Sequence, residues 1–212
     1  MRQVKEHNER KNEIIDVAEV LFYSKGYESC TINDILKQVG IAKGTFYHYF
    51  SSKEEILDAV LDRIISQMLA RIHGSLASAS VNHPERLMQV FLAMRVDDIV
   101  DDQKRSDIHM PDNALLHQKA LSKMIESITP ILVQIVEDGI AAKVWECKFP
   151  REYMQIFLAS SLTLTDEGIF KMDAEAQNKI MIALITILEK MLCQDELTFV
   201  NMFIDNWQKP VK

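Results

Sequence analysis

The sequence predicts an all-α protein, on three observations. Only six glycines and five prolines in 212 residues leave room for many long helices, and a chain 48% hydrophobic is too apolar to be disordered. Apolar residues recur at helical spacing from one end to the other. No repeat or low-complexity linker breaks the pattern, and the length suffices for one large domain or two small ones with a real core.

The first helix reads from Asn8 to Lys25, with Ile14, Ile15, Ala18, Leu21 and Phe22 on one face and Gly26 as its stop. Thr31 is a good N-cap for the second, and Asp34 sits where a carboxylate favours a helix N-terminus. Ile32, Ile35, Leu36 and Val39 carry its apolar stripe. Gly40 ends it as a left-handed residue can, and Ile41 anchors the turn to the core. A third, short helix spans Ala42 to Phe50. Ala42, Phe46 and Phe50 share its inner face, while Lys43, Gly44, Thr45, Tyr47 and His48 point outward with Tyr49 at the flank. Helix, glycine turn, helix is the helix-turn-helix arrangement, whose second helix enters the major groove of DNA.

The outward residue types suit that task. Gly44 lets the backbone approach closely. Thr45 offers a hydroxyl to a base or phosphate and a methyl to thymine. Tyr47 and Tyr49 can donate to phosphates, which fix register rather than read sequence. His48 can bond a base edge or a phosphate, and Lys43 supplies charge. Ser52 and Glu55 form a capping box for a fourth helix, Lys53 to Ala77, with Lys53 at the first helical position where an anion such as a phosphate is favoured.

The net charge of −7 looks wrong for a DNA binder until it is divided. Residues 1–53 hold eight Lys/Arg against seven Asp/Glu, and residues 54–212 hold sixteen against twenty-four. The acidity therefore lies away from the proposed DNA surface. Arg2, Lys5, Arg10 and Lys11 either assist that surface or form a solvated tail.

Residues 8–60 closely resemble the tetracycline-repressor (TetR) family of bacterial transcription regulators. The resemblance rests on Ala18–Phe22, Gly26-Tyr27, Thr31 with Ile35, Val39-Gly40, the run from Lys43 to Phe50, and Lys53. It covers about a quarter of the chain, and KGTFYHYFSSKEE is its most specific part. It implies an all-helical homodimer that binds a palindromic operator in double-stranded DNA and usually represses. By resemblance, the positions of Thr31, Lys43, Thr45, Tyr47, His48, Tyr49 and Lys53 touch DNA. The expected organisation is a helix-turn-helix DNA-binding domain over residues 1–52 and a helical effector-binding and dimerisation domain over 53–212.

The rest of the chain reads as further helices: one from Pro84, then Ala114 to Gly139, Arg151 to Phe170, Ala174 to Leu192, and a short one from Glu196 to Trp207. Pro130 either kinks the second of these or restarts it with Thr129 as cap. A loop near 101–111 and a connection at Trp145–Pro150 separate them. Arg151–Phe170 is apolar nearly all round, and Ala174–Leu192 carries Ile187 and its neighbours at bundle spacing. Helices apolar on more than one side are buried in the monomer or against another subunit. In the resembled family the last two helices form the dimer as a four-helix bundle.

Ten of eleven methionines follow residue 60, and Met adapts to irregular cavities and varied ligands. Ile64, Met68, Met88, Phe91, Met94, Met124, Met154 and Phe157 are the candidate lining of an effector pocket, or else ordinary core. His109 and His117 do not share a helix face, so no metal site is expected, and no cofactor either. Nothing resembles a nucleophile elbow, a phosphate loop or a metal motif, so no enzyme is expected. Three widely spaced cysteines without a C-x-x-C fit reduced thiols in the cytoplasm, and no signal peptide or membrane span is visible. The reading is a dimeric repressor that releases its operator when a small apolar or amphipathic molecule binds. The alternatives are a regulator governed by a protein partner or by no effector, and an all-helical enzyme with an accessory DNA-binding segment.

Overall fold

A computed structural model describes residues 2–77, 82–94, 111–166 and 168–207. Among the described residues all regular structure is helical: α1 (Arg2–Lys25), α2 (Ile32–Val39), α3 (Lys43–Tyr49), α4 (Lys53–Ala77), α5 (His83–Ala93), a 3-10 turn at Pro111–Asn113, α6 (Ala114–Ala141), α7 (Pro150–Leu164), α8 (Ala174–Met191) and α9 (Thr198–Trp207). The fold class is all-α, as the composition and spacing predict. Most of the expected loop near 101–111, and His109 within it, lie outside the described residues.

The chain forms two compact units. The described part of the first is 2–67 with 111–120; that of the second is 68–77, 82–94, 121–166 and 168–207. The chain passes between them within α4 and again within α6.

In the first unit, Ile14, Ala18 and Phe22 of α1 meet Ile35 of α2, Phe46 and Phe50 around α3, and Ile56, Leu57, Val60 and Leu61 of α4. Leu116 of α6 completes this core, only 1% exposed. α1 starts at Arg2 rather than Asn8: its first turns hold no glycine or proline, and Arg, Gln, Lys and Glu there are good helix formers. Ala42 is exposed with an extended backbone, so it serves as the N-cap of α3 and not as part of its buried face.

In the second unit α7 packs on α8, and α9 packs on both α8 and α5. α6 runs through Thr129-Pro130 unbroken, because the Thr129 hydroxyl bonds back to the Ile125 carbonyl at 2.6 Å instead of capping a new helix. It also runs past Gly139 to Ala141. The Trp145 ring packs against that glycine, where a Cβ would collide with it, and Lys143, at φ 59°, takes the left-handed position after the helix. α7 stops at Leu164, short of the expected Phe170. The Asp166 carboxylate accepts from the backbone N–H groups of Gly168 (2.8 Å) and Ile169 (3.1 Å), a turn that competes with helix continuation. Glu189, 2% exposed, accepts from the N–H groups of Leu197 (3.1 Å), Phe199 (2.6 Å) and Val200 (3.2 Å), so a buried carboxylate of α8 caps the N-terminus of α9.

Candidate nucleic-acid interface

α2 is held at both ends by its own sequence. The Thr31 hydroxyl accepts from the Asp34 N–H at 3.2 Å, and the Asp34 carboxylate accepts in return from the Thr31 N–H at 2.8 Å, a complete capping box. Lys25 pairs with Asp34 at 2.7 Å. That hydrogen bond first, and those from Thr31 next, hold the Asp34 carboxyl well below the usual carboxylate range. Gly40 has φ 76° and closes the helix through its N–H to the Leu36 carbonyl at 2.9 Å. Ile41, half-buried, packs the turn onto the core.

α3 then presents two faces of opposite character. Phe46 and Phe50 are 0% and 1% exposed, whereas Lys43, Gly44, Thr45, Tyr47 and His48 are all exposed and Tyr49 is intermediate. Nothing stands within 4 Å of a Cβ built on Gly44, so the backbone there is open to a ligand. The Lys43 ammonium lies 5.9 Å from the Tyr47 ring centre. Thr31, at the start of α2, is exposed, and its hydroxyl is engaged with Asp34 at 2.6 Å. The cap of α4 differs in detail from the sequence reading. Ser52 Oγ accepts from the Glu55 N–H at 3.1 Å, but the Glu55 carboxylate reaches the N–H and hydroxyl of Ser51 rather than Ser52. Those bonds lower the Glu55 pKa.

Lys53 does not point outward with the rest. Its Nζ donates to the carbonyls of Tyr27 (2.8 Å), Cys30 (3.0 Å) and Glu28 (3.3 Å) and lies 4.2 Å from the Tyr27 ring centre. Of the basic N-terminal residues, Arg10 pairs with Glu13 at 2.6 Å and Lys11 lies over the Phe50 ring at 5.4 Å. The side chains of Arg2 and Lys5 lie outside the described residues.

Several contributors to this surface were invisible in the sequence. The His7 ring stands 4.6 Å from Tyr49 and 5.5 Å from His48, so α1 leans on the end of α3. The turn between α1 and α2 is gripped from far along the chain. Buried Asn113 accepts the Tyr27 N–H at 2.7 Å, the Asp112 carbonyl accepts the Glu28 N–H at 2.9 Å, and the Asp112 carboxylate accepts the Ser29 hydroxyl. Lys119 bridges Glu54 (2.7 Å) and Asp58 (3.0 Å) of α4. No local pattern around residues 111–119 announces these partners.

The candidate effector residues divide between the units. Met68, Met88, Met94, Met124, Met154 and Phe157 are buried in the second, and the Phe91 and Phe157 rings meet at 4.9 Å. Ile64 belongs to the first unit and packs on its core. On α7 and α8, Ile156 (51%) and Ile187 (47%) are exposed in the single chain. Among the described residues no group of three or more His, Cys, Asp or Glu could hold a metal ion, and no helix is long and apolar enough to cross a membrane.

Comparison with known proteins fits this geometry. Residues 14–60 match the family model of bacterial regulatory proteins of the tetR family, and residues 98–187 match that of the tetracyclin repressor-like C-terminal domain. The chain is 34% identical over 86 residues to the transcriptional repressor KstR2 of Mycobacterium tuberculosis, a match that covers 41% of this chain and 42% of that protein. It is 31% identical over 122 residues to the regulator TtgR of Pseudomonas putida, covering 56% and 54%. The matches thus span about half or less of these relatives' length. Among solved structures, the fatty acid degradation regulator FadR of Bacillus halodurans superposes with a TM-score of 0.60 at 21% identity, over 82% of this chain and 94% of that one. E. coli NemR in its reduced form does so at 0.58 and 18%, over 88% and 99%. At such identities the superpositions speak for the fold. With the two family models matching in order along the sequence, the chain belongs to the tetR family of bacterial regulatory proteins.

Proposed function

We propose that this chain is a homodimeric, DNA-binding transcriptional repressor that releases a palindromic operator when a small apolar or amphipathic molecule binds its C-terminal domain, and that it is not an enzyme. The observation that carries the reading is the two-faced α3: buried Phe46 and Phe50 fix the helix, and Lys43, Gly44, Thr45, Tyr47 and His48 are left to solvent together. With Thr31 and Tyr49 they make the DNA surface. Lys43, Tyr47 and Tyr49 serve phosphates, and Thr45 and His48 serve base edges.

Exposed Ile156 and Ile187 support the dimer, since apolar residues left on two helices near the C-terminus fit burial against a second copy. Two-fold symmetry then demands half-sites about 34–36 Å apart or a multiple. The buried methionines of the second unit and the Phe91–Phe157 contact support an apolar ligand there. α4 and α6 carry residues of both units, which makes them the candidate route from effector to DNA. An effector acts only by binding one conformation better, and a coupling of about 1–3 kcal/mol changes operator affinity roughly 5–150-fold.

The test is selection of binding sites from random duplex DNA. A pseudo-palindromic consensus should emerge, bound with steep salt dependence, and Thr45→Ala or His48→Ala should change the bases preferred. Absence of any enriched site would overturn the reading. Sedimentation should show a dimer that Ile187→Glu converts to monomers with poor DNA binding.

A further inference from the structure

Two cysteines distant in sequence are brought to one corner of the second unit. The segment after α6 runs along the junction of α8 and α9 and is bonded to it twice. The Trp145 Nε1–H donates to the Gln194 side-chain oxygen at 2.7 Å, and the Glu146 N–H donates to the Leu192 carbonyl at 3.2 Å. Cys193 lies between the two residues bonded at the junction, and Cys147 directly follows the two bonded on the other segment. The helix end fixes Cys193. Its N–H reaches the Lys190 carbonyl at 3.3 Å and the Gln194 N–H reaches the Glu189 carbonyl at 2.9 Å, the pair of bonds that closes a helix through a left-handed residue. Glycine usually takes that position, and here Cys193 holds it at φ 50°. Burial pushes the Cys147 thiol above its ordinary pKa against a bond from the Phe149 N–H, and charge at Cys193 pushes it further, so the two sulfurs lie within electrostatic reach of each other. Both cysteines are free, Cys193 exposed and Cys147 half-buried, whereas Cys30 is buried in the first unit.

We propose that Cys147 and Cys193 form an oxidation site, a dithiol that a hydroperoxide converts to a reversible disulfide between the start of α7 and the end of α8. The Cys193 sulfur, open to solvent, attacks one peroxide oxygen. The O–O bond breaks, and the departing oxygen leaves with the thiol proton, as water when the oxidant is hydrogen peroxide. The Cys147 sulfur then attacks the sulfenic sulfur of Cys193. The S–S bond forms, the S–O bond breaks, and the oxygen leaves as water with the Cys147 proton. The two sulfurs together lose two electrons and the peroxide gains them. Cys147 suits the second step: a thiol that keeps its proton is slow toward a dissolved oxidant, but its neighbour's sulfenic acid is held beside it. A small dithiol reverses the bond by exchange. This site stands independently of the DNA-binding reading.

The test treats the reduced full chain with hydrogen peroxide at micromolar protein, titrates free thiols, and maps unreduced peptides by mass spectrometry. Free thiols should fall from the three of the reduced chain to one. The linked peptides should carry Cys147 and Cys193 of the same chain, Cys30 should stay free, and dithiothreitol should restore all three thiols. Cys147→Ser should leave a sulfenic acid on Cys193 that a cyclic diketone captures, and Cys193→Ser should slow thiol loss about tenfold. In urea the pairing should lose its selectivity and draw in Cys30, because the fold no longer brings the pair together. Retention of all three thiols in the folded chain would overturn the proposal. So would a link found only between two chains, thiol loss in Cys193→Ser as fast as in the unmodified protein, or the same mixture of links in the folded and unfolded chain. Should a serine variant fail to fold by circular dichroism, the peptide map of the unmodified protein decides alone.

Discussion

The two turns that flank α2 do the same geometric job by opposite means. Each contains a left-handed glycine, Gly26 at φ 87° and Gly40 at φ 76°. Around Gly40 the chain closes on itself: its N–H and that of Ile41 both reach the Leu36 carbonyl, and a Cβ there would meet nothing within 4 Å. Around Gly26 the turn has its own bonds, from the Gly26 N–H to Phe22 and from the Cys30 N–H to Gly26, and adds partners far away in sequence. Asp112 stands where a Cβ would go, Asn113 and Asp112 accept the next two backbone N–H groups, and Lys53 collects the carbonyls. The turn between α2 and α3 is thus held by its own residues, while the turn between α1 and α2 is also held by partners distant in sequence.

The comparison can be broken most severely at Gly26. Gly26→Ala combines a strained left-handed alanine with a collision at Asp112 and displacement of its hydrogen bonds, so it should destabilise the first unit by about 3 kcal/mol in urea unfolding. Asn113→Ala should follow at about 2 kcal/mol, because it leaves the buried Tyr27 N–H without an acceptor. Amide exchange at Tyr27 should show the loss there first. Gly40→Ala carries the conformational penalty alone, about 1 kcal/mol, and thermal melts should show it well below Gly26→Ala. If the two glycines prove equally sensitive, the contrast between local and distant construction is wrong.

The smallest effect concerns pH. Lys25, and then Thr31, lower the Asp34 pKa, so the ionised cap contributes stability above the ordinary aspartate value of 3.8. That contribution declines as acid carries the pH below 3.8 and through the lowered value. Asp34→Asn should therefore flatten the acid limb of the first unit's stability curve, followed by helical signal, and leave its neutral limb nearly parallel.

What was legible in the sequence shares one property: it depends on neighbours within a turn or two. Thr31 with Asp34, Gly40, and the burial of Phe46 and Phe50 opposite Lys43–Tyr47 follow from capping chemistry, backbone freedom and the helical period. Those rules gave the all-α class and the candidate DNA surface. They failed where one local interaction displaced another. Gly139 reads as a helix stop, but Trp145 packs on it inside the helix. Ser52-x-x-Glu55 reads as a reciprocal box, but Glu55 turns to Ser51. Arg151–Phe170 reads as one helix, but Asp166 takes the backbone N–H groups of a turn.

The sequence by itself determined that this protein is helical, where its helix-turn-helix begins and ends, and which side of α3 faces outward, because each of these is settled by interactions over three or four residues. Only the tertiary structure decided that Asn113 and Asp112 complete the turn at Gly26, that Leu116 fills the core of the first unit, that Glu189 caps α9, and that the ammonium of Lys53 faces carbonyls rather than solvent. The physical reason is common to the three polar cases. A buried donor or acceptor must find a partner wherever the fold brings one, and sequence spacing carries no record of which distant residue that is.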